Sequence, residues 1–245
     1  MPRRARILSE TGIYHVIVRG VSKQVIFEED YDYVFFLSKL RNHCKETGVR
    51  VIAYCLMSNH VHMLLYDPSG NLSLVMKKMG VSYSGYFNRK YDRVGHLFQD
   101  RFLSEVITSE RQLMIVIRYI INNPQKAGLG PATDYKWSSY HAYRDGTAIV
   151  DIKFLNDIFG DEEHYVDFIT EASDDKCLDY GTIRRNDEWA KSLIRKLTGE
   201  QDVTNLRSYE KKQRDKKLRE LRERGVSIRQ LERLTGISRG IIQET

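Results

Sequence analysis

From Val49 to Tyr66 the chain reads Val-Arg-Val-Ile-Ala-Tyr-Cys-Leu-Met-Ser-Asn-His-Val-His-Met-Leu-Leu-Tyr. Two apolar, β-prone runs flank a polar break at Ser58-Asn59, the pattern of two successive strands. Side chains alternate between the faces of a strand, so His60 and His62 share one face and Val61 takes the other. Two imidazoles side by side on a rigid strand can form a metal-binding edge. Alone, a His-x-His pair is more often two polar side chains facing solvent, so its meaning depends on what else can reach it.

The surrounding segments fix the class of fold. Ile13 to Arg19 alternates as a strand between Gly12 and Gly20. From Asp30 to Thr47, Tyr33, Val34, Leu37, Leu40 and Cys44 recur at helical spacing, with Asp30 as N-cap and Gly48 as stop. Asn71 to Tyr91 predicts a second helix with Leu72, Val75, Met76, Met79, Tyr83 and Tyr86 as its buried stripe. Gly95 to Val106 is strand-like, and Ser109 caps a third helix that ends before Pro124. The order β-α-β-β-α-β followed by a helix is a ferredoxin-like, or RRM-like, α+β arrangement: an antiparallel sheet with helices on one face and an α-helical C-terminal extension. Its first and third strands are central, which places His60 and His62 mid-sheet on a face open to a ligand.

Charge is distributed in blocks. Residues 1–145 carry a net +7, residues 146–203 a net −7 and residues 204–245 a net +6. Two basic blocks around an acidic one predict two modules that face nucleic acid and a joining segment that does not. The expected division is a catalytic-type domain over 1–146, an acidic helical connector over 147–203 and a basic helical segment over 204–245. No apolar run approaches a membrane span, the N-terminus lacks a signal-peptide core, and Cys44, Cys55 and Cys177 form neither a disulfide framework nor a zinc pattern. A reduced, cytoplasmic protein without a membrane partner is expected.

The segment Ser109–Asn123 carries the other chemically suggestive pair. Leu113, Met114, Ile117, Ile120 and Ile121 cluster on one side of the helical wheel, while Tyr119 and Asn123, four apart, stack on a common face largely opposite. A phenol and an amide presented one turn apart would complement two histidines on a neighbouring sheet. The amide oxygen can be a third, hard ligand to a divalent ion, and the phenol can be a nucleophile. His15, His43 and His96 have no partner that the sequence names; His15 could lie near the site on the first strand but reads first as core or surface.

In combination these residues resemble a known family. His60-Val61-His62 resembles the HUH motif of single-tyrosine transposases, and Tyr119-Ile120-x-x-Asn123-Pro124-x-x-Ala127-Gly128 resembles the tyrosine-helix signature of the REP-associated tyrosine transposases. Gly12-Ile-Tyr-His15 through Arg19-Gly20, the Tyr-Cys-Leu-Met-x-Asn-His-Val-His run and Gln99-x-Arg101-Phe102 are similar too; Ser58 stands where proline is common. The resemblance spans roughly residues 7–145, and the combination is far more specific than any piece. It implies that His60, His62 and Asn123 bind Mg²⁺ or Mn²⁺ and that Tyr119 attacks a phosphate of single-stranded, hairpin-bearing DNA. The product would be a 5′-phosphotyrosine link and a free 3′-hydroxyl for strand transfer. It further implies a nucleoid-associated protein, a role for Arg101 at DNA phosphate or in a structural ion pair, and either a monomer or a homodimer.

Near the C-terminus, Ser227 caps a helix with Ile228, Leu231 and Leu234, Thr235-Gly236-Ile237 turns the chain, and Ser238 caps a short helix with Ile241 and Ile242. This predicts a helix-turn-helix-like segment, although Glu232 stands where a small residue usually lets the helices approach. Against duplex DNA, Ser238, Arg239 and Gln243 would face the major groove, with Arg229 and Arg233 nearer phosphate. The bland alternative is a small helical packing element.

Two rival functions remain open on the sequence. An RRM-like sheet could bind single-stranded nucleic acid without cutting it, although such sheets present aromatics on the central strands where this chain has histidines. A metal hydrolase using water, with Tyr119 only orienting substrate, would leave no protein on its product.

Overall fold

The computed structural model describes residues 9–144, 149–173, 177–178, 187–224 and 226–245. The chain divides into two units, Met1–Ile183 and Arg184–Thr245.

The first unit is built on the predicted alternation. Strand β1 (Ile13–Arg19), helix α1 (Asp30–Thr47), strands β2 (Arg50–Met57) and β3 (His60–Tyr66), helix α2 (Leu72–Lys90) and strand β4 (Leu103–Val106) follow in order. They form an antiparallel sheet in the order β2-β3-β1-β4, with β1 and β3 central. The turn at Ser58-Asn59 is tied down by backbone bonds: Ile26 donates to the Ser58 carbonyl (2.8 Å) and Gly20 to the Asn59 carbonyl (2.9 Å).

Register decides which side chains meet. Val16 pairs with Met63 and Val18 with Val61, and these buried residues share the face beneath α1 and α2. Arg19 pairs with His60 and Ile17 with His62, which puts the histidines on the opposite face. The strand expected over Gly95–Val106 shrinks to the four residues of β4. Gly95 takes a left-handed φ of +101°, and Phe98 meets β1 through a single bridge to Gly20. The segment therefore runs beside β1 without a regular ladder until Leu103.

The histidine face is covered. Helix α3 (Glu110–Ile121), capped by Ser109 accepting from the Gln112 N–H at 3.2 Å, lies against β2 and β3. The helix halts at Asn122 and restarts as the short α4 (Asn123–Lys126) with Pro124 in its first turn. The outer edge of β2 is closed by Trp137–Ser139: Leu56 donates to the Trp137 carbonyl (2.8 Å) and Tyr54 to Ser139 Oγ (2.9 Å). Covering an edge in this way blocks pairing with other chains.

The acidic stretch is not the independent connector expected over 147–203. Helices α5 (Ile152–Phe159) and α6 (Glu162–Thr170) bury Leu155, Phe159, Tyr165 and Ile169 in the same core as the sheet. Asn122 Nδ2 donates to the Ile169 carbonyl at 2.8 Å, and Arg118 packs over Phe168 and pairs with Glu171. Net charge describes the solvated side of these helices, whereas their apolar side decides where they pack.

In the second unit, α7 (Asp187–Thr198), a 3₁₀ segment (Val203–Ser208), α8 (Lys211–Glu223), α9 (Ile228–Thr235) and α10 (Arg239–Gln243) enclose their own core. Ala190 and Ile194 of α7 pack with Leu206, Leu218, Leu221, Leu231 and Ile242. The C-terminal unit thus begins before residue 204: the basic segment has too few apolar side chains to close a core and recruits α7 from the acidic block. Ser227 and Gln230 form a reciprocal capping box on α9, and Gly236 adopts φ +71° at its end. Among the described residues no helix is long and apolar enough to cross a membrane.

Candidate active site

Strand alternation brings His60 and His62 to one face of β3, their ring centroids 4.9 Å apart. Both are buried. The Asn59 side chain sets the first ring: its Nδ2 donates to the Lys23 carbonyl (3.3 Å), which leaves Oδ1 to accept from His60 Nδ1 at 2.8 Å. A neutral imidazole protonated at Nδ1 has its lone pair on Nε2, which leaves that nitrogen able to ligate a metal. His62 is held well below the usual histidine pKa, first by burial and then by His60 and His15. It is therefore neutral at physiological pH.

The helix over the sheet completes the cluster. Tyr119 is buried, and its ring stands edge-on to His62 at 5.8 Å and to His15 at 6.2 Å between centroids. Asn123, also buried, donates from Nδ2 to the Tyr119 carbonyl at 3.2 Å, so its oxygen is the end left to act as a ligand. Lys126 Nζ lies 4.2 Å from the centre of the Tyr119 ring. The nucleophile candidate and the histidine pair thus meet within a single chain. Tyr119 faces the sheet while the helix's other side meets α6, so a helix expected to be apolar on one side is buried on two.

Sequence reasoning left three neighbours without a role. His15, fully buried on β1, forms a 3.0 Å hydrogen bond through Nε2 to His62 Nδ1. Glu105 pairs with it across β4, and Arg19 lies opposite His60. The His15 interaction holds the Glu105 carboxyl below the usual carboxylate range, against the opposing effect of burial. The β1–β3 register places His15 and Arg19 here: both share the parity of Ile17, which lies opposite His62, and alternation along β1 alone does not disclose that pairing.

Arg101 is not brought to this cluster. It is exposed on the rim of a cavity of ≈ 460 Å³ lined by Val18, Met76, Met79 and Phe98, beneath the other face of the sheet. In the second unit Arg229, Arg233, Ser238, Arg239 and Gln243 are all exposed. Two of them are engaged: Arg233 pairs with Asp187 (2.6 Å) and Arg239 with Glu232 (2.9 Å). Glu232, the residue at odds with close helix approach, points outward to make that pair.

Residues 9–123 match the family of IS200-like transposases. The match falls on the sheet domain. The matched residues carry both histidines, Tyr119 and Asn123. The chain is also 24% identical over 153 residues to a Haemophilus influenzae protein provisionally named a REP-associated tyrosine transposase, covering 58% of this chain and 86% of that one. Among solved structures, a REP-associated tyrosine transposase bound to a REP hairpin aligns with a TM-score of 0.50 at 17% identity, over 73% of this chain and 99% of that one. At that identity the likeness concerns the fold.

Proposed function

We propose that this transposase-family domain breaks and rejoins single-stranded DNA through Tyr119. The observation that carries the reading is the packing of the Tyr119 ring against His62, with Asn123 bonded to the tyrosine's own carbonyl. The donor set suits a divalent ion. Among the described residues no three His, Cys, Asp or Glu side chains gather as a metal cage, so a third protein ligand beside His60 and His62 has to be of another kind, and the Asn123 amide oxygen is the candidate. Bound there, Mg²⁺ or Mn²⁺ would polarise the scissile phosphate and offset its developing charge.

The chain's own residues perform the remaining steps. Tyr119 Oη attacks phosphorus and gives up its proton, a tyrosine–phosphorus bond forms, and the bond to the 3′ oxygen breaks. That oxygen leaves as a free 3′-hydroxyl after taking up a proton. The phosphodiester energy is kept in the phosphotyrosine, so a second 3′-hydroxyl can reverse the reaction. The solved neighbour is bound to a REP hairpin, which supports a hairpin-bearing single strand as substrate. The basic C-terminal unit is suited to duplex phosphates, with α10 as a short reading helix.

The test is incubation of hairpin-bearing single-stranded DNA with the protein and Mg²⁺, followed by denaturing electrophoresis. A protein–DNA adduct absent from Tyr119→Phe is expected. Cleavage without an adduct would favour a water-using hydrolase, and binding without cleavage would favour a non-catalytic single-strand binder.

A further inference from the structure

The proposed site leaves one buried titratable side chain unused. His15 is fully buried, and its two ring nitrogens face different partners. Nε2 is 3.0 Å from His62 Nδ1, and Nδ1 faces Glu105 Oε2 at 3.9 Å. His15 Nδ1 and Glu105 Oε2 are both buried atoms outside hydrogen-bond distance of a partner, and they face one another, while the Leu178 backbone also acts on the Glu105 carboxylate. The other oxygen of Glu105 faces Gln112 Nε2 at 3.5 Å, and Gln112 itself is held by the Thr108 N–H at 2.9 Å. The carboxylate is therefore anchored at the start of α3.

We infer that Glu105 and His15 form a relay that fixes the tautomer of His62. A carboxylate can only accept, so it selects the His15 tautomer that carries its proton on Nδ1. His15 Nε2 then bears the lone pair and can only accept. The shared hydrogen bond must accordingly be donated by His62 Nδ1, which leaves the lone pair of His62 on Nε2. Asn59 does the same for His60 from the hairpin turn. The two rings are set by separate devices, one local and one spanning β4, β1 and β3. His15 and Glu105 are positioning residues in this scheme, because neither reaches the phosphate. Partners of this outer kind typically change metal affinity about 10–100-fold when removed.

The relay depends on the proposed metal role of His62 only for its purpose, and the two can be tested apart. Side-chain ¹⁵N spectra of the metal-free full-length protein distinguish protonated from bare ring nitrogens. Wild type is expected to show His62 protonated at Nδ1 and bare at Nε2. Glu105→Ala, at a partly exposed edge-strand position that the fold tolerates, is expected to mix the two His62 tautomers. His15→Gln, whose amide oxygen can still accept from His62, is expected to retain the wild-type form, whereas His15→Leu loses it. Mn²⁺ affinity, read from the free-ion electron paramagnetic resonance signal, should fall at least tenfold in Glu105→Ala and His15→Leu and recover in His15→Gln. A wild-type His62 protonated at Nε2, or a tautomer indifferent to Glu105→Ala, overturns the relay. A relay seen in the spectra of a protein that binds no Mn²⁺ leaves the relay standing and removes the ligand reading of His62.

Discussion

The ring of Tyr119 stands edge-on to the imidazole of His62, 5.8 Å between centroids and 74° between planes, across the contact between α3 and the centre of the sheet. One comes from a helix and the other from a strand 57 residues earlier, yet each is held by its own element. The pair is thereby preorganised on regular structure instead of on loops.

If that pair is the reaction centre, removing the imidazole should abolish chemistry before it abolishes binding. His62→Gln and His60→Gln are expected to slow adduct formation by more than ~100-fold, beyond the upper end of what an outer-shell partner costs. Hairpin affinity measured by fluorescence anisotropy should stay within about threefold of wild type, because phosphate contacts elsewhere dominate it. A proportional loss of both would place the histidines in binding instead.

Lys126 over the Tyr119 ring would supply a positive charge where the phenol, as the proposed nucleophile, loses its proton. Lys126→Met keeps the apolar stem and deletes the charge. A contact of this kind is worth ~0.5–1 kcal/mol, so single-turnover adduct formation should slow about 2–5-fold, with the melting temperature lowered by no more than about 4 °C.

Asp32 contributes to the acid stability of the first unit. Burial raises its pKa, but Lys90, Tyr91, Tyr86 and the Glu28 N–H outweigh that and leave it lowered. A lowered folded-state value means that its stabilisation is complete above the unfolded carboxyl value of ~3.9 and is lost as pH falls through the lower folded value. Asp32→Asn should therefore destabilise the protein at pH 7 by about 3 kcal/mol, the low end for breaking a buried pair. It should also flatten the fall in melting temperature at the acid end. An unchanged acid limb would assign that limb to other carboxylates.

The exposed arginines of the C-terminal unit should reveal themselves through salt. If Arg229 contacts a duplex phosphate, Arg229→Ala should weaken binding to all duplex sequences alike and lower the log–log salt slope by about 1. Arg233 and Arg239 should behave similarly although both are paired, because surface ion pairs of this kind are worth only ~0–1 kcal/mol and yield to a phosphate. A slope indifferent to all three would make the unit a packing element.

Much of this arrangement is legible in the residues themselves. Period-two alternation puts His60 and His62 on one face, and the four-residue interval puts Tyr119 and Asn123 within a turn of each other. What alternation cannot supply is which strand lies alongside and in what register. His15 meets His62 only because Ile13 pairs with Tyr66 and the ladder runs unbroken from there. The fate of residues 147–203 was hidden for another reason. Their acidity is conspicuous, while the few side chains that decide their placement, Leu155, Phe159, Tyr165 and Ile169 on one side and Ala190 and Ile194 on the other, are ordinary apolar residues with no sign of which core they join.

The central position of β1 and β3 has a consequence for how this domain can change over time. Both strands are flanked on each side, so adding or losing one residue in either would turn its histidines to the opposite face and misalign two ladders at once. The candidate site cannot be retuned by sliding a strand; it can be retuned only by replacing side chains in place or by altering the helices and loops around it. On the proposed reading, diversity of substrate is thus confined to the periphery, and the histidine pair is inherited with the sheet.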